Sequence, residues 1–274
     1  MVQRKRLCIV SGGLGGLATS ATIRVLEQGN FNAALLYPPF ESNQVENVLA
    51  QYPERLRDCV RTYECDITSP ESVRSAFQAL IQDYPHSTNV DNQSLGNEQD
   101  DDQQDTAADV LLNAAGVVKL SPLESTPFHS WQSQLSVNLT GPYLCSNEFA
   151  KWNIQDKRPA RIISIASQAA HVALPEHGPY CASKAGLLGL IKCQAAEWGP
   201  HGITSNAISP TVVLTPLGKE AWSGSKAEEF MKKIPTGKFV QPEEVANTVV
   251  FLASKEALSI NGTDIRIDGG FTIT

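Results

Sequence analysis

Long apolar runs are missing from this 274-residue chain. None approaches the roughly 18 residues that a helix needs to cross a bilayer, which excludes a helical membrane protein. Paired cysteine motifs are missing too. The six cysteines (Cys8, Cys59, Cys65, Cys145, Cys181 and Cys193) contain no C-x-x-C. That excludes a zinc ribbon or a disulfide framework and leaves reduced, buried thiols of an intracellular protein as the expectation. Positive charge is in deficit, with 22 Lys and Arg against 29 Asp and Glu and a formal net charge of −7. No broad basic face is available for a nucleic acid. The deficit is local. Asp91, Glu98, Asp100, Asp101, Asp102 and Asp105 fall between residues 86 and 106, where there is no Lys or Arg, so the rest of the chain is close to neutral. Hydrophobic residues at 42% supply a large core and exclude wholesale disorder.

What is present is an alternation. Short apolar runs at 7–10, 32–36, 60–64, 110–112, 161–165, 204–208 and 264–267 read as strands. Between them, apolar residues at i, i+3 and i+4 mark helices over 17–26, 73–81, 131–149, 180–198 and 245–252. Strand–helix alternation of this kind predicts one doubly wound α/β domain over 1–274, with a seven-stranded parallel sheet covered on both faces. Basic Gln3-Arg4-Lys5-Arg6 before the first apolar run resembles the start of a signal peptide. The run breaks into glycines too soon, so a buried first strand is expected. Too few residues precede it for a transit peptide, and the final Phe-Thr-Ile-Thr is no retention or peroxisomal signal; a cytoplasmic protein is expected. Residues 85–108 stand apart. They are rich in Asn, Gln, Asp and Ser, and Val90 and Leu95 are their sizeable apolar residues. Such a segment cannot bury enough to offset ordering entropy, which predicts a mobile surface insertion; an acidic docking arm is the other reading.

Three motifs carry chemistry. Ser11-Gly12-Gly13-Leu14-Gly15-Gly16-Leu17-Ala18 follows the first strand and opens a helix. A glycine-rich turn there lets backbone N–H groups approach a pyrophosphate. Asp66 follows the third strand, placed either to accept a hydrogen bond from an adenine amino group or to cap the helix opening near Ser69-Pro70. Asn113-Ala114-Ala115-Gly116 closes the fourth strand with small residues that admit a ligand across the point where strand order reverses. In the third motif, Ser167 closes the fifth strand, and Tyr180 and Lys184 share one helix face at i and i+4. A Lys ammonium beside a phenol is expected to lower its pKa from about 10, suiting Tyr180 to proton transfer near neutral pH. Ser167 is placed to polarise a substrate carbonyl.

Together these segments resemble the short-chain dehydrogenases/reductases over nearly the whole chain. Leu111 to Gly116 resembles that family's fourth-strand motif, and Val137-Asn138-Leu139-Thr140-Gly141 its active-site Asn motif. Asn206-Ala207-Ile208-Ser209-Pro210 and Ile267-Asp268-Gly269-Gly270 resemble its late motifs. The resemblance implies a catalytic tetrad of Asn138, Ser167, Tyr180 and Lys184. Lys184 would also bond the nicotinamide ribose, and Asn138 would hold a water linking Lys184 to solvent. It implies cofactor contacts at Gly12, Leu14, Gly16, Leu17, Tyr37, Asp66, Ile67, Asn113, Ala114, Gly116, Tyr180, Lys184, Pro210, Val213 and Thr215, and no metal.

A narrower resemblance is to the dicarbonyl/L-xylulose reductases and polyol dehydrogenases. It rests on Pro210-Thr211 through Thr215, Gly218 and Trp222, with Thr211 where most of the wider family has Gly. Gln168, His177 and Trp222 match that subgroup's substrate positions beside Ser167 and Tyr180. His177 also reads as a loop residue facing water, and Trp222 as a packing residue of a lid or interface. Two departures stand out. Ala18 replaces the usual third glycine. The second strand ends Leu36-Tyr37-Pro38-Pro39, with neither the acid that binds the NAD ribose nor the base that pairs with the NADP 2′-phosphate; Glu41 lies beyond the two prolines. The subgroup's habit tips the expectation to NADP(H). The reading that follows is reversible hydride transfer between NAD(P)(H) and a small ketose, dicarbonyl or polyol. The alternatives are a 3-oxoacyl thioester reductase and a non-catalytic cofactor-sensing regulator. A homo-oligomer, dimer or tetramer, is expected from the helices at 131–149 and 180–198.

Overall fold

The structure, a computed structural model, describes residues 5–85 and 108–274. Most of the acidic insertion therefore lies outside the described residues. Seven strands form one parallel sheet: β1 (Arg6–Ser11), β2 (Phe31–Tyr37), β3 (Val60–Glu64), β4 (Asp109–Asn113), β5 (Ala160–Ile165), β6 (Ile203–Pro210) and β7 (Asp264–Ile267). Their spatial order is β3-β2-β1-β4-β5-β6-β7. Every residue of β1, β4, β5 and β6 is buried. A sheet covered on both faces demands this, and it is why β1, β4 and β5 read as largely apolar runs rather than alternations, while β6 buries Thr204, Ser205, Asn206 and Ser209 as well.

The covering helices are α1 (Gly16–Leu26), α2 (Val45–Leu49), α3 (Glu54–Arg57), α4 (Pro70–Asp83), α5 (Phe128–Leu135), α6 (Gly141–Gln155), α7 (Gly178–Trp198), α8 (Pro216–Ala221), α9 (Gly224–Met231) and α10 (Pro242–Ala253). Alternate strand residues serve opposite faces. Cys8, Val10, Leu35, Leu112 and Ile163 meet Val25 of α1 and Val249 and Leu252 of α10. Leu7, Ile9, Leu36, Leu111 and Ile162 meet Phe77 and Leu80 of α4 and Phe149 and Trp152 of α6. Ala18 is 2% exposed inside the first of these layers, so its methyl is absorbed by packing.

Strand order reverses between β1 and β4, and crossovers leave to opposite sides there, opening a crevice beyond their carboxyl ends. Gly12 has φ +65°, and a Cβ on it would lie 2.6 Å from Ala115 Cα. Only glycine lets the β1 turn and the β4 turn come this close.

Two expectations need correction. The helix predicted over 131–149 is α5 and α6 joined by a π-helical turn, Ser136–Thr140. One inserted residue leaves the apolar periodicity almost intact, so the pattern does not reveal it. The cysteines are all free, but they are not all buried. Cys8, Cys65 and Cys145 are, Cys59 and Cys181 are half-buried, and Cys193 is exposed on α7. Among the described residues no helix is long and apolar enough to cross a membrane. No group of three or more His, Cys, Asp or Glu among them is placed to hold a metal.

Candidate active site

The β4, β5 and β6 ends and the first turn of α7 bring the predicted tetrad together. Asn138 lies in the π-helical turn and is fully buried. Single π turns widen a helix locally and recur at functional sites. The Asn138 carboxamide clasps the chain leaving β4. Its Oδ1 accepts from Val117 N at 2.8 Å, and its Nδ2 donates to Val117 O at 2.9 Å and to Ser183 Oγ at 3.1 Å. Ser183 Oγ in turn donates to Tyr180 O at 2.7 Å. Asn138 thus ties β4 to the first turn of α7. What its amide keeps free is one lone pair on Oδ1.

Ser167 is extended (φ −172°) at the end of β5, and its Oγ accepts from Ala169 N at 3.1 Å. The same hydroxyl interacts with the Tyr180 phenol in the sense that lowers its pKa. Lys184 is 3% exposed, and its Nζ donates to Ile165 O at 2.7 Å while lying 5.7 Å from the Tyr180 ring centroid. Gly116 closes the group, since a Cβ there would be 3.6 Å from both Lys184 Nζ and Asn138 Oδ1.

The electrostatics differ from expectation. Burial raises the Tyr180 pKa above 10.0, with the Ser167 hydroxyl opposing it. Burial also lowers the Lys184 pKa from 10.5 to about 8. Lys184 is anchored on a carbonyl instead of on the phenol, so desolvation outweighs its field at Tyr180. The phenol is therefore held as a proton donor at neutral pH.

Several residues expected to contact the cofactor sit at the ends of β1, β2 and β4. Ser11 and Asn113 are register partners at the ends of β1 and β4. Asn113 Nδ2 donates to Ser146 Oγ (3.1 Å) and Ser164 Oγ (3.2 Å), while Asn113 Oδ1 and Ser11 Oγ are buried without a partner. Unsatisfied polar atoms beside a glycine cradle that no side chain can enter suit a polar, phosphate-bearing dinucleotide. Asp66 is not the helix cap. Ser69 caps α4 by accepting from Ser72 N, whereas Asp66 Oδ1 accepts from Thr68 N (2.9 Å) and Thr68 Oγ1 (2.7 Å). Ile67 is buried against Gly141. Leu14 is buried and Leu17 packs beside it on the core. Tyr37 is half-buried at the end of β2, and its carbonyl accepts from Cys65 N at 2.7 Å. Thr215 caps α8 through Gly218 N, and Thr215 and Pro216 sit over Gly16. Val213 bridges to Val240, and Ala114 N donates to Ser11 O at 3.2 Å.

Of the substrate candidates, His177 and Gln168 lie beside the tetrad. The His177 ring is edge-on to Tyr180 at 6.2 Å. Its Nδ1 donates to Pro175 O at 2.6 Å, which in the neutral ring leaves Nε2 to accept a proton. Gln168 is 5% exposed and its Oε1 has no partner. Trp222 packs on Phe230 and Phe239, with Lys226 over its ring. Some contributors carried no sequence signal. The Ile165 carbonyl that anchors Lys184 is presented by any residue. Glu176, at φ +65°, carries a left-handed backbone that its residue type does not favour; its carbonyl accepts from Ser121 N at 3.0 Å.

A strand-order reversal beneath a glycine cradle, with Ser, Tyr and Lys converging beyond it, defines a dinucleotide-dependent oxidoreductase. A family profile described as enoyl-(acyl carrier protein) reductase matches residues 99–272. D-threitol dehydrogenase of Mycolicibacterium smegmatis is 37% identical over 268 residues, 98% of this chain and 93% of its own length. The NAD-dependent glycerol dehydrogenase of Listeria innocua is 34% identical over 269 residues, covering 98% and 94%. L-xylulose reductase of Bos taurus is 38% identical over 167 residues, 61% of this chain and 68% of that one. The crystal structure of levodione reductase shares the fold, with a TM-score of 0.83 over 98% of both chains at 24% identity. The chain belongs to the short-chain dehydrogenase/reductase family and is an NAD(P)(H)-dependent oxidoreductase.

Proposed function

We propose that this chain interconverts a small polyol and its ketose or dicarbonyl partner. The observation that carries the reading is the convergence of Ser167, Tyr180 and Lys184 beside Gln168 and His177. These last two offer hydrogen-bond acceptors suited to substrate hydroxyls. The two full-length relatives, named for threitol and glycerol, support it. The 3-oxoacyl thioester alternative has a family profile's name behind it, whereas the two relatives aligned over nearly the whole chain are named for polyols. A non-catalytic sensor would have no need of Tyr180 and Lys184 buried together.

Gly12, Leu14, Gly16 and Leu17 would hold the cofactor's pyrophosphate end, Asp66 and Ile67 the adenine, and Asn113, Ala114 and Gly116 the central crevice. Pro210, Val213 and Thr215 would flank the nicotinamide. Once bound, the nicotinamide supplies or accepts the hydride. Ser167 Oγ bonds the substrate oxygen and turns it toward Tyr180 Oη. In reduction, Tyr180 Oη gives its proton to that oxygen as negative charge develops; in oxidation it takes the alcohol proton. Lys184, released from Ile165 O, bonds the ribose hydroxyls, and the Asn138 Oδ1 lone pair accepts from a water that passes its proton on.

For the cofactor we infer NAD(H), where the subgroup's habit suggests NADP(H). A 2′-phosphate calls for a cation at the end of β2, and residues 37–54 contain no Lys or Arg. The reading further takes the chain as one domain with an insertion at 85–108, acting in the cytoplasm as a homo-oligomer. Turnover of erythrulose, xylulose, threitol and glycerol, each with NAD(H) and NADP(H), tests it. The expected result is activity on this panel with kcat/KM at least tenfold higher for NAD(H). Activity confined to 3-oxoacyl thioesters overturns the substrate class.

A further inference from the structure

Between β6 and α10 the chain leaves the sheet and returns. The two ends of this excursion are tied together, with Val240 N donating to Val212 O at 3.0 Å and Leu214 N to Val240 O at 2.9 Å. Between the ties lie α8 and α9. The outgoing end reaches the cofactor turn, where a Cβ on Gly16 would lie 3.3 Å from Pro216 Cδ. The excursion has its own small core, separate from the two sheet layers: Ala227, Ile234 and Phe239 are buried, with Trp222, Phe230 and Met231 around them. Trp222 lies 4.7 Å from Phe230 and 5.7 Å from Phe239 between centroids.

One ring in this core comes from elsewhere. Phe271, in the turn after β7, stacks on Phe230 with centroids 5.1 Å apart and planes at 26°. That turn is fixed by Asp268, whose carboxylate accepts from Gly270 N (2.9 Å), Thr272 N (3.0 Å) and Thr272 Oγ1 (2.6 Å). It is also pressed against the returning end of the excursion. Thr236 N donates to Gly269 O at 3.1 Å, and a Cβ on Gly269 would lie 2.2 Å from Thr236 Oγ1. The turn is thus anchored on β7 and carries one aromatic ring into a segment otherwise packed on itself.

We propose that Phe271 is a positioning residue for substrate binding: the turn after β7 is a strut that, through Phe230, holds the 214–239 excursion against the cofactor turn. Helices as short as α8 and α9 are not stable alone, so their position depends on what their apolar faces meet. Phe271 and Val212 are the members of this small core outside the excursion among the described residues. Removing the ring is expected to shift the balance between held and released excursion by about tenfold.

The effect on KM rests on the hydride-transfer reading of the site; a second readout does not. Lys219, Lys226, Lys232 and Lys233 are exposed on the excursion and report its release to trypsin. In Phe271→Ala of the full chain, cleavage at these lysines should speed about tenfold, while cleavage at Lys151 and Arg55 stays within twofold. KM for the ketose should rise two- to tenfold with kcat within twofold, and Phe271→Tyr, which keeps the ring, should restore both. Phe230→Ala added to Phe271→Ala should add less than twofold more, because both remove one contact. Should Phe271→Ala fail to fold, Phe271→Leu serves, with an expected threefold rise in cleavage. Unchanged cleavage in the excursion, equal acceleration at all sites, or multiplying effects of the two Phe variants overturns the strut. A parent chain inactive on ketoses overturns the substrate reading and leaves the proteolysis result to decide the strut by itself.

Discussion

Lys184→Met should separate what Lys184 does from what its burial costs. The ammonium is 3% exposed with one partner, Ile165 O at 2.7 Å, and burial lowers its pKa from 10.5 to about 8. A base whose folded pKa lies below its unfolded one binds fewer protons when folded inside that window. Stability therefore rises with pH between the two values, and below about pH 8 the folded chain carries the full penalty. The shift corresponds to roughly 3 kcal/mol at neutral pH, falling to about 1 kcal/mol near pH 10. Methionine is similar in length and carries no charge. It removes that penalty but leaves the Ile165 carbonyl unsatisfied, at a cost of about 1–3 kcal/mol. The variant should then be as stable as the parent at pH 7, or up to about 2 kcal/mol more stable. Urea unfolding of both proteins from pH 6 to pH 10 should show the difference moving toward the parent by about 2 kcal/mol as pH rises. Titrations common to both proteins cancel in that difference. In the same variant turnover should fall at least a hundredfold and cofactor affinity about tenfold, because one ammonium serves two partners. A stability difference flat in pH would refute the desolvated ammonium. Loss of only turnover, or only affinity, would refute the dual role.

Tyr180→Phe should lower kcat by about a thousandfold while leaving cofactor affinity within twofold, since it removes only the proton donor; stopped-flow binding and steady-state rates check both. Burial holds the Tyr180 phenol above 10.0 and Lys184 at about 8, so the alkaline loss of reductase activity should centre near pH 8. A midpoint near pH 10 would assign that limb to Tyr180 instead. Excising residues 87–105 should change kcat less than twofold, because Val90 and Leu95 are the sizeable apolar residues there; circular dichroism that reports an unfolded product would contradict this. Light scattering at micromolar concentration should return two or four times 29.7 kDa, since Tyr143 on α6 is 46% exposed and α7 presents small residues (Ala182, Ala185, Gly189 and Ala196) that permit close helix approach. A monomer mass would leave those faces solvent-exposed.

The parts of this fold that could be read from sequence are those where one residue type answers one local demand. Strands buried on both faces are rich in apolar residues, so β1, β2, β4 and β5 stood out as runs, while β3 and β7 at the sheet edges are only partly buried and carry polar residues. Gly12 must be glycine because Ala115 backs onto it. Tyr180 and Lys184 share a face because of helical geometry alone. What stayed hidden depends on atoms every residue has, or on distant elements meeting. Lys184 beside Tyr180 in sequence suggested a lowered phenol pKa. In the fold the Ile165 carbonyl takes the ammonium, burial takes the phenol, and the sign of the shift reverses. Asn138 stood in a recognisable sequence motif, but the Val117 main chain it clasps carried no signal, since a clasp on backbone leaves no side-chain signature. The spacing of Trp222 from Pro210 and the subgroup resemblance allow either a substrate contact or a packing residue of a lid or interface. That spacing says nothing of Phe230 and Phe239, which pack on the indole, or of Phe271, which stacks on Phe230 from the turn after β7. The residue types are thus specified locally, while the proton affinities of Tyr180 and Lys184 and the position of the 214–239 segment are set by tertiary neighbours. The variants that best test this chain therefore lie outside its motifs.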